Sequence, residues 1–271
     1  MATLTIAAAQ FAPTDDPEAN LETVRLAAAD ASRRGADLLV TPEYTSYFTA
    51  DLDDRFVAAA QPLDGPFVTG LQQIAAEVGI ALVVGVAERL AEDSRFFRNT
   101  LVAVLADGSI AETYRKVHLY DAFGARESDR IEAGDPSQLP VFELAGVRVG
   151  LETCYDLRFP EVSRRLAAPE TGAADVVVVP AEWVRGPGKE HHWRTLLTAR
   201  AIENTVWVVG VGQTPPVGIG SSLVVDPAGV VVAAAGATPG MLVATVDTLV
   251  TEAVRRTNPS LALRRYGVAP R

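Results

Sequence analysis

Cys154 is the only cysteine in the 271-residue sequence. A lone cysteine is most often a small buried apolar residue. Here, residues 147–152 have the pattern of a strand, and Phe159-Pro160-Glu161 is typical of the start of a helix. A thiol on such a strand-to-helix turn lies at the carboxyl edge of a sheet, near helix N–H groups that favour a thiolate. The pattern therefore predicts a nucleophile on a tight elbow.

A cysteine nucleophile needs a base, and histidine is the usual partner. His191 and His192 are adjacent, so they point in different directions on a helix and match no metal-ligand spacing. His118, two residues after Lys116, is the only plausible histidine partner. A Cys154–His118 pair would indicate an acyltransferase or a thioesterase.

Carboxylates and a lysine are a second set of groups that could assist Cys154 in catalysis. Glu43 follows the predicted strand 37–41, Lys116 follows the strand 110–115, and Cys154 follows the strand 147–152. Functional groups gather where strands end at their carboxyl edges. These three side chains meet only if their strands are neighbours, and charged residues such as Glu43 and Lys116 are more often exposed on the surface.

Strand and helix patterns alternate along the whole chain, which predicts an α/β fold. No linker interrupts them, so we expect one domain spanning residues 1–271 with an irregular tail over 258–271. The predicted helices begin at Asp16-Pro17, near Pro66, at Pro160 and near Gly188. Predicted strands lie at 4–9, 37–41, 80–87, 100–105, 110–115, 142–144, 147–152, 175–179, 206–211, 221–225, 230–234 and 242–246. Residues 117–136 are predicted to form a surface loop.

A weak internal repeat relates the two halves of the chain. The segment from Gly35 to Glu43 resembles that from Gly172 to Glu182, because each ends a buried strand at proline with a glutamate just beyond. Two similar halves indicate two similar sheets packed face to face, with helices outside. Since all buried strands look alike, coincidence explains the repeat equally well.

Composition excludes several classes of protein. Apolar residues make up 48% of the chain and charged residues 21%, as in ordinary globular proteins. The net charge of -10, with no concentrated basic patch, argues against a nucleic-acid partner. Polar residues and prolines interrupt the longest uncharged stretch, 205–225, so we expect no membrane helix. A single cysteine and an N-terminus without a signal-peptide pattern favour the cytoplasm.

Taken together, several motifs closely resemble the nitrilase superfamily of carbon–nitrogen hydrolases. They are Thr41-Pro-Glu-Tyr, Tyr114-Arg-Lys-Val-His-Leu-Tyr, Arg126-Glu-Ser-Asp, Gly150-Leu-Glu-Thr-Cys-Tyr-Asp-Leu-Arg-Phe-Pro-Glu, Arg200-Ala-Ile-Glu-Asn and Gly220-Ser-Ser-Leu-Val-Val-Asp-Pro-Ala-Gly. The resemblance spans nearly the whole chain, with the motifs in the right order. It is strongest to the amidase-like branches that include omega-amidase and deaminated glutathione amidase.

The resemblance implies a fold, a site and a partner. The fold is a four-layer αββα sandwich, and the catalytic triad is Glu43, Lys116 and Cys154, with Glu127 as a second glutamate. The oxyanion would bind Lys116 and the backbone N–H of Tyr155, and Trp183 is a candidate pocket wall. Neither a metal nor an organic cofactor is implied. The family pairs sandwich to sandwich, so we expect a homodimer or a larger homo-oligomer, with the tail at the subunit interface.

The expected activity is that of an amidase, which releases ammonia from a small carboxamide substrate through a thioester intermediate. A nitrilase or an N-carbamoyl amino-acid hydrolase would use the same triad, so the motifs leave these alternatives open. Outside this class remain the Cys154–His118 acyltransferase or thioesterase and a non-catalytic scaffold with an inert Cys154.

Overall fold

The computed structural model describes residues 1–91 and 94–270, whose strands form two six-stranded sheets. The first sheet has the order β12-β1-β2-β3-β4-β5 and the second has the order β11-β10-β9-β8-β7-β6. The first sheet contains β1 (Thr3–Gln10), β2 (Leu38–Val40), β3 (Ala81–Arg89), β4 (Phe97–Val104), β5 (Ile110–Arg115) and β12 (Gly240–Asp247). The second contains β6 (Val141–Leu144), β7 (Val147–Leu151), β8 (Val176–Ala181), β9 (Trp207–Gly212), β10 (Leu223–Val225) and β11 (Val231–Ala234).

Helices cover the outer faces of both sheets. The helices are α1 (Pro17–Arg33), α2 (Asp54–Ala59), α3 (Pro66–Val78), α4 (Pro160–Ala167), α5 (Lys189–Asn204) and α6 (Thr248–Thr257). One apolar cluster fills the space between the sheets, a second joins α1 and α3 to the first sheet, and a third joins α4 and α5 to the second. This is the predicted four-layer αββα sandwich, and the prediction of fold class is confirmed.

The weak repeat in the sequence corresponds to a repeat in the topology. In the first sheet β1, β2 and β3 are parallel and β4 and β5 follow antiparallel. In the second sheet β7, β8 and β9 are parallel and β10 and β11 follow antiparallel. The remaining edge strand of each sheet is also antiparallel to its neighbour. In the first sheet β12 pairs with β1, and in the second sheet β6 pairs with β7. The two similar segments are therefore β2 and β8, which hold equivalent central positions.

Local sequence explains the main elements. The Asp16 side chain accepts hydrogen bonds from two N–H groups at the start of α1, and Pro17 occupies the first turn. In β8, Val176 and Val178 face the other sheet, whereas Val177 and Val179 face the helices. Both faces are thus buried, which accounts for the uninterrupted run of valines.

Two helices were not predicted from the pattern. Helix α2 has only six residues, and Thr251 is the one fully buried residue of α6. The tail beyond α6 is irregular over residues 258–270, as expected, and Arg271 lies outside the described residues. Among the helices described, none has the length and apolar character needed to cross a membrane.

Candidate active site

The strand ends predicted to carry chemistry converge at one end of the sandwich. Glu43 follows β2, Lys116 follows β5 of the same sheet, and Cys154 follows β7 of the other sheet. Lys116, Glu127, Cys154, Tyr155 and Trp183 line one narrow pocket, and Glu43 bonds to Lys116 behind its wall. The structure thus brings all six predicted site residues together.

The Glu43 carboxylate is fixed by donors from three segments of the chain, and the Glu43 carbonyl oxygen by a donor from a fourth. Its Oε1 accepts hydrogen bonds from Asn99 Nδ2 at 2.7 Å and from Lys116 Nζ at 2.9 Å. Its Oε2 accepts from the backbone N–H of Glu182 at 2.7 Å. The carbonyl oxygen of Glu43 accepts from Gln213 Nε2 at 2.8 Å. A carboxylate held by so many donors has one orientation, which a positioned acid–base group requires.

Lys116 lies between two carboxylates. Its Nζ donates to Glu43 Oε1 and to Glu127 Oε1, each at 2.9 Å, and it is 1% exposed. Burial alone would lower the pKa of Lys116, but the charges of Glu127 and Glu43 raise it well above its ordinary value. The lysine is therefore a permanent ammonium and cannot serve as the base.

Glu127 is held in place by tyrosine and backbone groups. Tyr44 Oη donates to its Oε1 at 2.8 Å, and the backbone N–H of Tyr120 donates to its Oε2 at 2.6 Å. Glu127 begins a single 3-10 turn, Glu127–Asp129, within the loop predicted over residues 117–136. The loop prediction is confirmed, but this glutamate is buried because the loop folds inward onto Lys116.

Cys154 occupies a tight turn between β7 and α4. Its φ angle is +46°, in the left-handed region that side chains other than glycine rarely adopt. The buried carboxylate of Asp156 stabilises this turn by accepting from the Thr153 N–H at 3.2 Å, the Tyr114 hydroxyl at 2.6 Å and the His118 N–H at 2.9 Å. The predicted elbow is present, with Asp156 as its anchor.

The Cys154 thiol is protonated at rest. Burial raises its pKa well above the ordinary value, and the negative charge of Glu43 raises it further, against the opposing effect of Lys116. The sequence pattern favoured a thiolate at this turn, and the structure gives the opposite direction. Burial is the largest cause, and the charges of Glu43, Glu182 and Glu127 oppose that of Lys116, so any attack by sulfur must be coupled to proton removal.

Two cations and several aromatic rings line the outer part of the pocket. Arg158 lies 4.7 Å from the Trp183 ring centroid, and Lys189 Nζ lies 3.9 Å from that of Phe123. Lys189 also donates to the Tyr120 hydroxyl at 2.7 Å. The cavity left between these groups is about 20 Å³, which is room for roughly one water molecule. A larger cavity of about 510 Å³ lies elsewhere, against α4 and the tail.

His118 does not belong to the Cys154 pocket. Its Nδ1 lies 2.8 Å from Asp156 Oδ1, and its ring stacks on Phe159 at 3.8 Å between centroids. It lines the larger cavity instead. Over residues 1–91 and 94–270 we find no hydrogen bond between His118 and Cys154.

Several residues of the site escaped sequence reasoning. Tyr44 belongs to the motif Thr41-Pro-Glu-Tyr, and Arg158 belongs to the motif that begins at Gly150, but neither motif indicated a role for them. Glu182 was visible as the counterpart of Glu43 in the internal repeat. Asn99 and Lys189 gave no signal, because Asn99 lies between the polar residues Arg98 and Thr100 of β4, and Lys189 begins a helix like any surface lysine.

Comparison with known proteins agrees with this geometry. The family model described as carbon-nitrogen hydrolase matches residues 5–256. The chain belongs to the carbon-nitrogen hydrolase family. It is 39% identical over 261 residues to the deaminated glutathione amidase of Escherichia coli O157:H7, covering 96% of this chain and 97% of that protein. It is 32% identical over 275 residues to the human deaminated glutathione amidase, covering 96% and 82%.

Solved structures of carbon-nitrogen hydrolases share its fold. The Caenorhabditis elegans NitFhit protein aligns with a TM-score of 0.88 at 28% identity, over 99% of this chain and 67% of that chain. A mutant amidase from Nesterenkonia sp. AN1 aligns with a TM-score of 0.79 at 29% identity, over 97% and 94% of the two chains. In that amidase structure the acetamide moiety of fluoroacetamide is covalently added to the active site cysteine.

Proposed function

We propose that this carbon-nitrogen hydrolase is an amidase that cleaves a small carboxamide through a Cys154 thioester. The observation that carries the proposal is the buried Glu43–Lys116–Glu127 chain of hydrogen bonds beside Cys154. It supplies a fixed carboxylate and a permanent ammonium next to a nucleophile. An acyl-transfer site needs these elements.

In the first half-reaction the sulfur attacks the amide carbon while Glu43 takes the thiol proton. The new C–S bond leaves negative charge on the former carbonyl oxygen. Lys116 and the N–H of Tyr155 stabilise that oxyanion. Glu43 then delivers its proton to the nitrogen, the C–N bond breaks, and ammonia leaves a thioester on Cys154.

Water completes the reaction in the second half. Glu43 accepts a proton from water as the water oxygen attacks the thioester carbon. The C–S bond breaks, the carboxylic acid leaves, and Glu43 returns the proton to sulfur. Glu127 acts by position, because its carboxylate holds Lys116 together with that of Glu43. The sequence of steps consumes one amide and one water and yields one acid and one ammonia.

The outer pocket favours an amide that also carries a carboxylate. Arg158 and Lys189 bring two positive charges to a narrow pocket whose wall contains aromatic rings. Burial and the neighbouring charge of Arg158 lower the pKa of Lys189, so an anion that pairs with these cations is favoured. A monoamide of a dicarboxylic acid matches the charges of this pocket, with its amide at Cys154 and its acid at the cations, once the side chains around the 20 Å³ cavity move apart to admit it.

A screen of ammonia release tests the proposal. Purified enzyme and its Cys154→Ala variant are compared on dicarboxylic monoamides, aliphatic amides, N-carbamoyl amino acids and nitriles. We expect hydrolysis of a monoamide by the wild type only, together with a thioester adduct on Cys154 in acid-quenched intact-mass spectra. Faster turnover of nitriles or N-carbamoyl compounds would replace the amidase assignment, and turnover by Cys154→Ala would end the cysteine mechanism.

His118→Ala separates this proposal from a Cys–His mechanism. We expect it to keep the proton-transfer step, because His118 faces Asp156 and Phe159 rather than the pocket. Loss of acylation together with loss of the pH dependence of the wild type would instead make His118 the base.

A further inference from the structure

Phe123 is an aromatic residue in an exposed and strained position. It lies in the loop that precedes Glu127 and is 70% exposed. Its φ angle is +54°, in the left-handed region that a bulky side chain rarely adopts, and the next residue, Gly124, has a φ angle of +91°. Backbone strain of this kind persists only where surrounding contacts maintain it, and it is common in switch segments and ligand clamps.

The Phe123 ring contacts the two cations of the Cys154 pocket. Its centroid lies 3.9 Å from Lys189 Nζ and 5.6 Å from the guanidinium carbon of Arg158. Both cations line the pocket, whereas Phe123 lies outside that lining. Two cation–π contacts therefore connect the exposed loop to a cavity of about 20 Å³, which a substrate must enlarge in order to enter.

These contacts hold the loop tip, residues 122–125, against the pocket. Within the described part of the chain, the only hydrogen bond of the tip is internal, from the Ala125 N–H to the Ala122 carbonyl oxygen at 3.0 Å. The base of the loop is fixed separately, because the Tyr120 N–H donates to Glu127 Oε2 at 2.6 Å. The tip can therefore move away from the pocket while Glu127 stays in place.

The two cations have no carboxylate partner that would compete with a ligand. Over residues 1–91 and 94–270, neither Arg158 nor Lys189 forms an ion pair, and Arg158 Nε is buried without a hydrogen-bond partner. Glu182 lines the same pocket but lies beyond ion-pair distance of both cations. A carboxylate binds such cations through charge-assisted hydrogen bonds, which are stronger than the attraction of a ring face. An anionic ligand can therefore displace the Phe123 ring.

We infer that Phe123 controls substrate affinity: its ring covers the two pocket cations in the free enzyme, and the carboxylate of a dicarboxylic monoamide takes its place there. The inference rests on the proposed amidase function and adds the group that a substrate must displace. The apparent affinity for substrate is reduced by the fraction of enzyme in which the tip is closed. Phe123 does not touch the reacting atoms, so the chemical steps are unaffected.

Two variants of this side chain test the inference. Phe123→Leu keeps an apolar side chain but removes the ring face, and Phe123→Trp supplies a ring that attracts cations more strongly. With glutaramate as substrate, we expect Phe123→Leu to lower KM about tenfold and to change kcat less than about twofold, because two cation–π contacts no longer hold the tip closed. Phe123→Trp should raise KM. Both variants should fold, since the side chain is exposed.

Phe96→Leu is the matched control. The Phe96 ring also lies against a cation, 5.2 Å from the guanidinium carbon of Arg95, but it lines a different cavity. This variant should keep the wild-type KM and kcat. An unchanged KM in Phe123→Leu would overturn the inference, and so would a higher KM, since the ring would then belong to the substrate-bound site. Equal lowering of KM by Phe123→Leu and Phe123→Trp would also contradict it.

Calorimetry with glutarate keeps this test separate from the test of the amidase function. Glutarate carries carboxylates but no amide, so its binding requires no hydrolysis. We expect Phe123→Leu to bind glutarate about tenfold more tightly than the wild type, and Phe123→Trp to bind it more weakly. If the wild type hydrolyses no monoamide, the proposed function fails, but the order of the three Kd values still decides the role of Phe123. Equal Kd values, or no binding to any of the three proteins, contradict the inference.

Discussion

The two glutamates that bond to Lys116 have different expected roles, although both contact the same nitrogen. We propose Glu43 as the acid–base group in both half-reactions, whereas Glu127 holds Lys116 and is itself held by Tyr44 and Tyr120. Glu43→Gln keeps the shape of the side chain and removes its basicity. We expect the rate to fall by about 100- to 10,000-fold.

Single-turnover kinetics separates the two residues. With Glu127→Gln, acylation should slow while any thioester formed still hydrolyses, because the base is intact. With Glu43→Gln, both steps should fail. The measurement is rapid acid quench followed by intact-mass analysis of the acyl-enzyme. Wild-type deacylation by Glu43→Gln would show that Glu43 is not the base, and the role would pass to Glu127.

The residues that bear chemistry were largely predictable, and those that hold them were not. Glu43 and Cys154 follow apolar strands, where charged or reactive residues are unusual enough to notice, and Lys116 follows the more polar strand β5. Asn99 donates to Glu43 from the strand β4, which is 56 residues further along the chain. No local pattern encodes that contact, since it exists only when the fold brings the end of β2 close to β4 across the intervening strand β3.

At the scale of elements, the close approach of β3 to the residues that follow β2 positions Glu43. A Cβ added to Gly85 would lie 2.8 Å from the Pro42 carbonyl oxygen and 2.9 Å from the Glu43 Cα. These are backbone atoms, so the strand end itself must shift. We expect Gly85→Ala to lower the free energy of unfolding by about 1–3 kcal/mol and to reduce kcat at least about tenfold.

Gly240→Ala is the matched control for this strand change. Gly240 also lies in a strand of the first sheet, but a Cβ there meets nothing within 4 Å. Urea unfolding and steady-state kinetics of both variants provide the comparison. If Gly85→Ala kept full activity, the close contact would have no part in placing Glu43.

Glu152 links β7 to α4 and makes stability depend on pH. It is fully buried, accepts a hydrogen bond from Ser163 at 2.6 Å, and burial raises its pKa from 4.5 to about 7. Between these two values the folded chain binds more protons at this site than the unfolded chain. The contribution of Glu152 to the free energy of unfolding is therefore largest below pH about 4.5. It decreases as the pH rises to about 7, and it stays low above that pH.

Glu152→Gln should remove this dependence. A shift of this size corresponds to about 3 kcal/mol. We therefore compare the free energies of unfolding of the variant and the wild type at two pH values. The difference, variant minus wild type, should be larger at pH 8 than at pH 5. Glu143→Gln, an exposed glutamate on the neighbouring strand β6, is the control. Urea unfolding at both pH values measures the effect, and parallel curves for wild type and Glu152→Gln would contradict it.

Strands buried on two faces and long helices were predicted well, and the helices α2 and α6 were missed. The similarity of β2 and β8 could be recognised in the sequence because both strands are buried on two faces. Helix α6 was missed because it follows β12 without an intervening turn, starting from Asp247, whose side chain accepts from the Leu249 N–H at 2.8 Å. Which sheet each strand joins follows from packing between residues far apart in sequence.

For the whole molecule, we predict self-association through the tail. In the tail, Leu263 and Tyr266 are 64% and 89% exposed. The segment that carries them is irregular and has no core of its own to bury them. Arg264 ties this segment to Glu170 at 2.6 Å, close to the end of α4. The tail and α4 also line the 510 Å³ cavity together. A net charge of -10 opposes close approach, so the apolar groups must outweigh it.

Two variants with the same change in exposed apolar surface test this interface. Leu263→Glu places a charge in the tail, whereas Leu26→Glu places one on α1, where the leucine is equally exposed at 63%. In a twofold-symmetric interface each change occurs twice. Loss of about 1.5 kcal/mol of burial per leucine therefore predicts that Leu263→Glu raises the dissociation constant of the dimer about 100-fold. Leu26→Glu should match the wild type. Sedimentation equilibrium at micromolar concentration measures the mass, and a wild-type mass near the 28.7 kDa of one chain would refute self-association. Equal effects of the two variants would place the interface outside the tail.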